Sequence, residues 1–247
     1  MIELEGLTKD FGSLRAVDGI NLQIPRGEFF AVLGPNAAGK TTTIKMMVGL
    51  IRPTAGRARI AGFDIQENPL EARSRLSYVP DFPFLYEKLT PAEFLRFTGR
   101  LFRMPDAQIR EECDELVPRF NLEDWLHQPI ESLSHGTRQR IAIASALLHR
   151  PEVFIIDEPM VGLDPHHARV VKDILRERAT EGMTIFLSTH QVSVAEEMAD
   201  RIGIFHQGQV IACGSADELR ARSQTTGTLE AAFLALTRGS QTQSEEA

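Results

Sequence analysis

Phe29-Phe-Ala-Val-Leu-Gly-Pro-Asn-Ala-Ala-Gly-Lys-Thr-Thr-Thr-Ile-Lys-Met-Met-Val-Gly-Leu50 is the stretch on which the fold turns. It opens with five apolar residues, Phe29 to Leu33, the pattern of a strand buried on both faces. Gly34, Pro35, Asn36, Ala37, Ala38 and Gly39 follow, then Lys40, Thr41 and Thr42. That is the spacing G-x-x-x-x-G-K-[ST] of a phosphate-binding loop. Beyond it, Ile44, Met47, Val48 and Ile51 fall on one face of a helix. Strand, loop and helix come in the order the motif requires.

The chemistry needs these residue types. A triphosphate is a cluster of negative oxygens, which backbone N–H groups and a helix N-terminus can surround. Glycine lets the backbone turn tightly and come close. Lys40 is placed for the β- and γ-phosphate oxygens, and the Thr41 hydroxyl for Mg²⁺. The loop has no G-x-G-x-x-G, so a dinucleotide site is not indicated. Ala37 occupies a position that relatives of such loops give to glycine. If that position has a positive φ, alanine costs about 1 kcal/mol there.

Two more segments repeat the pattern of a buried strand ending in polar groups: Val153 to Ile156 ends at Asp157-Glu158-Pro159, and Met183 to Leu187 at Ser188-Thr189-His190, while Leu76 to Pro80 is a short strand ending at Asp81. The carboxyl ends of such strands are where α/β proteins place ligand chemistry. Neighbouring strand residues point to opposite sides, so Asp157 and Glu158 suit different tasks, metal ligation and water activation.

Earlier in the chain, Ile2 and Leu4 alternate with Glu3 and Glu5, and Ile20, Leu22 and Ile24 with polar residues, as in short half-buried strands. Phe11, in a turn between them, is open to two readings: stacking on a base or ordinary packing. Residues 57–65 read as a strand pair bent at Gly62. Thr90-Pro91-Ala92-Glu93 is a capping box that opens a helical region, with Phe94, Leu95, Phe97 and Leu101, then Leu116, Val117 and Phe120, on its apolar faces. Ser134-His135-Gly136 precedes a helix expected from Thr137 to about His149. It reads either as a second anion site or as a plain N-cap. Asp164 and Pro165 start another helix, which Gly182 ends. His166 and His167 are adjacent, so they do not share a helix face and do not form a metal pair. Residues 202–205 and 210–213 read as a hairpin, Ser215 to Glu218 as a second capping box, and Leu229, Phe233 and Leu236 as one helical face. After Arg238 the composition predicts a disordered tail.

The 247 residues are ordinary for a globular α/β protein, with 43% hydrophobic and 25% charged residues. A net charge of -7 argues against a surface made for nucleic-acid phosphates, so no nucleic acid is expected. Cys113 and Cys213 lack metal-ligand spacing and read as free thiols of a reducing compartment. No apolar run approaches the ~18–20 residues of a membrane span, and the N-terminus is not a secretory signal. The expectation is a cytoplasmic protein that reaches a membrane only through a partner.

Taken in order, these motifs resemble the ATP-binding subunit of an ABC transporter from Ile2 to about Cys213. The most specific parts are Leu133-Ser134-His135-Gly136-Thr137-Arg138-Gln139-Arg140, Ile155-Ile156-Asp157-Glu158-Pro159 and Gly162-Leu163-Asp164-Pro165. The resemblance implies an α/β fold: a P-loop NTPase (RecA-like) core with an N-terminal antiparallel β region and an inserted α-helical subdomain. Residues 1–84 and 151–222 would form the ATP-binding core, 85–150 the helical signature subdomain, and 223–247 a C-terminal helix and polar tail. It implies ATP and Mg²⁺ as cofactors. Phe11 would stack on adenine, and Gly34 to Thr42 would bind phosphates. Thr41, Asp81 and Asp157 would serve the metal, with Asp81 in place of the family's glutamine. Glu158 would polarise the attacking water, with Lys40 and His190 at the γ-phosphate. Ser134, Gly136 and Asp164 would act across the interface of two such subunits, homo- or heterodimeric. His135 stands where the signature often has glycine. The implied partners are that second subunit and an integral-membrane permease, with the chain peripheral on the inner face of the cell membrane. Asp81, His135, Pro80 to Tyr86 and Gly227 to Phe233 resemble the ABC-2 type exporter branch. A soluble ABC ATPase of DNA repair or translation is the rival reading, but such proteins usually carry two cassettes, zinc cysteines or long coiled coils. A module that binds ATP without turnover is the other rival, opposed by Glu158 and His190 and favoured by Ala37 and His135.

Overall fold

A computed structural model describes residues 1–223 and 227–244. The apolar run opening the phosphate loop is β3 (Phe29–Leu33), and every residue in it is buried. It lies in a six-stranded sheet with β6 (Leu76–Val79), β7 (Val153–Asp157), β8 (Thr184–Thr189), β9 (Arg201–His206) and β10 (Gln209–Gly214). The order is β10-β9-β3-β8-β7-β6. All pairs are parallel except the β9–β10 hairpin at the edge. Burial on both faces explains why these strands read as continuous apolar runs rather than alternating ones.

Side chains on the two faces join different cores. Phe29, Ala31 and Leu33 pack with Phe154 and Ile156 under the helices. Phe30 and Val32 pack with Val153, Ile155 and Phe186 on the other side. That second face is covered by helix α1 (Lys40–Met47) and a four-stranded antiparallel sheet, ordered β2-β1-β4-β5. Its strands are β1 (Ile2–Phe11), β2 (Leu14–Ile24), β4 (Ala55–Ile60) and β5 (Phe63–Asp64). The first two are longer than the short strands expected, because register shifts along their pairing bend the ladder without ending it. A short helix, α2 (Pro69–Arg73), leads into β6.

Between β6 and β7 the chain is helical: α3 (Pro91–Leu101), α4 (Asp106–Arg119), two 3-10 turns and α5 (His135–Leu147). Thr90 and Glu93 make both bonds of the capping box. Helix α5 starts two residues before the expected Thr137, because the Ser134 side chain accepts from Thr137 N–H and caps it there. Two expected apolar positions, Phe97 and Leu101, are exposed, and Ile51 lies past the end of α1, partly buried against the core. The helical segment is not walled off, since Leu95, Leu116 and Ile143 belong to the same core as Phe154 and Leu187. Helices α6 (Pro165–Thr180), α7 (Val192–Met198) and α8 (Ala216–Arg222) follow, and Ser215 with Glu218 completes the second capping box. Helix α9 (Leu229–Ser244) runs through the polar stretch expected to be disordered after Arg238; residues 245–247 of that tail lie outside the described residues.

The candidate nucleotide site

The carboxyl ends of β3, β6 and β7 open onto one cavity of about 580 Å³. Its lining includes Asn36 to Thr42 from the phosphate loop, Asp81 after β6, Asp157 and Glu158 at the end of β7, and Phe11. Residues far apart in sequence thus meet, as the crevice rule for parallel sheets requires.

The loop glycines are there for space and for backbone angle. A Cβ on Gly34 would sit 2.5 Å from the Phe205 carbonyl oxygen, and one on Gly39 would sit 2.7 Å from that of Ala16. Gly39 also has φ +99°. Ala37 has φ 64°, so the alanine does stand in the left-handed region. The first N–H groups of α1 have no partner within the helix and face an incoming anion. Lys40 Nζ donates to the Gly34 and Pro35 carbonyls at 2.6 and 3.0 Å. Burial pulls its pKa down, while Glu158 and Asp157 push it up. A phosphate would exchange these carbonyls for charged oxygens and restore a counter-charge to the buried ammonium.

The Thr41 hydroxyl donates to Asp157 Oδ2 at 3.0 Å. No group of three or more His, Cys, Asp or Glu residues able to hold a metal occurs among the described residues. The oxygen set of Thr41, Asp157 and Asp81 nevertheless fits Mg²⁺, which takes one or two carboxylates and completes its shell with phosphates and water.

Glu158 is held on several sides. Its N–H donates to Ser188 O at 2.9 Å, extending the β7–β8 ladder, and its backbone is left-handed at φ 49°. Its carboxylate accepts from Thr189 Oγ1 at 3.3 Å and from His190 Nδ1 at 2.9 Å. The strained backbone turns Glu158 out of the strand and into the cavity. Asp157, only 3% exposed, stays at the strand end beside Thr41.

Ser134, Gly136 and Asp164 do not line this cavity. A Cβ on Gly136 would be 3.0 Å from Gly162 O, so the start of α5 packs against the turn that precedes α6. The Asp164 carboxylate caps α6, accepting from the N–H groups of His166 and His167 and from His167 Nδ1. The His167 side chain, followed by its backbone, holds the Asp164 pKa down at about 2. Sequence reasoning missed Leu14, Arg15, Ala16, Gln207 and Gly208, which complete the cavity from the start of β2 and from the β9–β10 turn. Gly208 had a turn signature only; nothing local in the sequence points the others at this site.

The ABC transporter family model matches residues 17–161, well over half of the chain. The chain belongs to the ABC transporter family. ATP binding and hydrolysis are accordingly its activity. The ATPase is 39% identical over 220 residues to the daunorubicin/doxorubicin resistance ATP-binding protein DrrA of Streptomyces peucetius, covering 89% of this chain and 67% of that protein. It is 37% identical over 219 residues to the Nod factor export ATP-binding protein I of Ralstonia nicotianae, covering 89% and 68%. Among solved structures, an ATP-binding subunit of an ABC transporter superposes with a TM-score of 0.91 at 32% identity, covering 96% of this chain and 99% of that one. A dimeric ATP-binding cassette in a post-hydrolysis state with ADP and Pi superposes with a TM-score of 0.79 at 26% identity, covering 87% and 98%. The α/β architecture expected from the sequence is thus that of the family.

Proposed function

We propose that this ATPase powers an integral-membrane export permease, working as one of two ATP-binding subunits that close on ATP. The observation that carries the hydrolytic part is Glu158, set by Thr189 and His190 in a cavity that also holds the phosphate loop. Lys40 and the loop from Gly34 to Thr42, through its backbone N–H groups other than at Pro35, bind the phosphates, and Phe11 stacks on the base. Thr41, Asp157 and Asp81 would hold Mg²⁺, which supplies charge neutralisation on the phosphate oxygens when bound. Glu158 orients and polarises the attacking water, and His190 fixes the Glu158 carboxylate through Nδ1.

The dimer reading is supported by the separation of the two anion sites: Ser134 and Gly136 lie outside the cavity that holds Lys40. A second copy would bring its α5 start to this chain's phosphates, and Asp164 would support that interface from the adjoining turn. Binding would shut the pair and hydrolysis would release it.

The export reading is supported by the relatives named for drug resistance and for Nod factor export. The permease reading is supported by an aromatic surface beside Asp81. Phe82, Phe84 and Tyr86 are 73%, 94% and 60% exposed, around a groove bordered by Phe94 and Phe102. No helix among the described residues is long and apolar enough to cross a membrane, so attachment to the inner face would come through this surface. A photo-crosslinking side chain at Phe84 should trap the membrane protein of an adjacent reading frame in cells producing both. No such crosslink, with both proteins present, would reject this surface as the contact.

A further inference from the structure

His135 sits at the exposed start of α5 and touches two loops. A Cβ on Gly162 would lie 2.2 Å from His135 Cδ2 and 2.8 Å from its Nε2, so the imidazole covers the Gly162 α-carbon. The same ring meets Phe82, with centroids 6.0 Å apart and planes tilted by 58°. That spacing and tilt suit an edge-on aromatic contact.

Each neighbour leads to the nucleotide cavity. Phe82 directly follows Asp81, which lines it, and its own ring is 73% exposed. Gly162 is four residues beyond Glu158, in a chain segment tightened by two turns: Val161 N–H donates to Glu158 O at 3.2 Å, and Leu163 N–H to Met160 O at 3.3 Å. A shift at Gly162 therefore loads the Glu158 backbone, which is already in the left-handed region. With glycine at position 135 there would be no ring between the two loops.

We propose that His135 is a positioning residue for hydrolysis: its ring ties the loop after β6 to the loop after β7, so that pressure on the exposed Phe82 alters turnover at Glu158. The inference rests on the assignment of Glu158 to hydrolysis and adds a route by which that step is controlled. It needs no change in the protonation of His135.

The test is a double-mutant cycle on steady-state ATP hydrolysis by the full chain. Both side chains are exposed, so their removal opens no core cavity, and circular dichroism checks the fold. His135→Gly and Phe82→Ala should each lower kcat more than they raise KM. The double variant should be no worse than the poorer single one, a departure from additivity of about threefold or more. His135→Phe, which keeps a ring, should retain most of the turnover. Gly162→Ala should lose activity through both the contact and its φ of +77°, and His135→Gly should return part of that loss. The inference is overturned if neither single change alters kcat, if the two losses multiply, or if His135→Gly restores nothing to Gly162→Ala. A Glu158→Gln variant run alongside separates the failures: full activity there sinks the Glu158 assignment, whereas an inactive Glu158→Gln with multiplying losses sinks only the role of His135.

Discussion

The Thr41 hydroxyl donates to Asp157 Oδ2 at 3.0 Å, joining the phosphate loop to the end of β7 across 116 positions of sequence. The bond places a hydroxyl and a carboxylate side by side at the mouth of α1. Both are oxygen ligands of the kind Mg²⁺ selects. Asp81 lines the same cavity from the loop after β6 and would supply a third oxygen ligand.

Asp81 should therefore matter to metal-dependent turnover more than to nucleotide binding. Asp81→Ala should shift the Mg²⁺ dependence of hydrolysis to higher concentration, while Asp81→Gln should keep activity. Identical Mg²⁺ titrations for Asp81→Ala and the wild type would reduce Asp81 to a loop residue.

Ala37 should be a point of stored strain. Its φ of 64° is one that glycine adopts freely. Ala37→Gly should raise stability or tighten ATP binding by about 1 kcal/mol in total. Thermal melts with and without ATP measure both, and a lower melting temperature together with weaker binding would contradict the expectation.

His149 stacks on Phe102 with ring centroids 3.5 Å apart, and burial pulls its imidazole from 6.5 down to about 4. An unfolded chain takes up this proton near pH 6.5, and the folded chain only near pH 4. This contribution to stability is therefore full above pH 6.5 and falls as the pH drops from 6.5 to 4. His149→Phe should reduce the loss over that window by an amount on the order of 1–2 kcal/mol. Urea midpoints at pH 7 and pH 4.5 provide the comparison, and equal losses in both proteins would count against it.

Association should depend on ATP. With Glu158→Gln to block hydrolysis, saturating ATP should raise the light-scattering mass to that of two chains. A monomeric mass, alone and beside the permease, would refute the paired arrangement.

Much of this was legible because the parallel strands are buried on both faces. Their apolar runs announce β3, β7 and β8; the acids ending the β7 run line the cavity, and His190 beyond β8 is joined to it through Glu158. The capping boxes at Thr90 and Ser215 were readable because their bonds are local. Long-range placement was not. Leu14 and Arg15 reach the site only because the antiparallel sheet folds over α1, and Gln207 only because β9 pairs with β3. The left-handed backbone of Glu158 has no local signature, since a glutamate ordinarily avoids that region. The α5 boundary moved because Ser134, not the residues before Thr137 as a group, provides the cap.

The central claim is that Glu158 activates the water while Lys40 holds the phosphates. ATP affinity measured beside steady-state hydrolysis, for Glu158→Gln and Lys40→Ala, tests it most directly. Glu158→Gln should bind ATP as well as the wild type and lose about 10²–10⁴ in turnover, the usual contribution of a positioned base. Lys40→Ala should lose affinity itself, because it removes a charge aimed at the phosphates. Hydrolysis at the wild-type rate by Glu158→Gln would contradict the account and pass the role to His190.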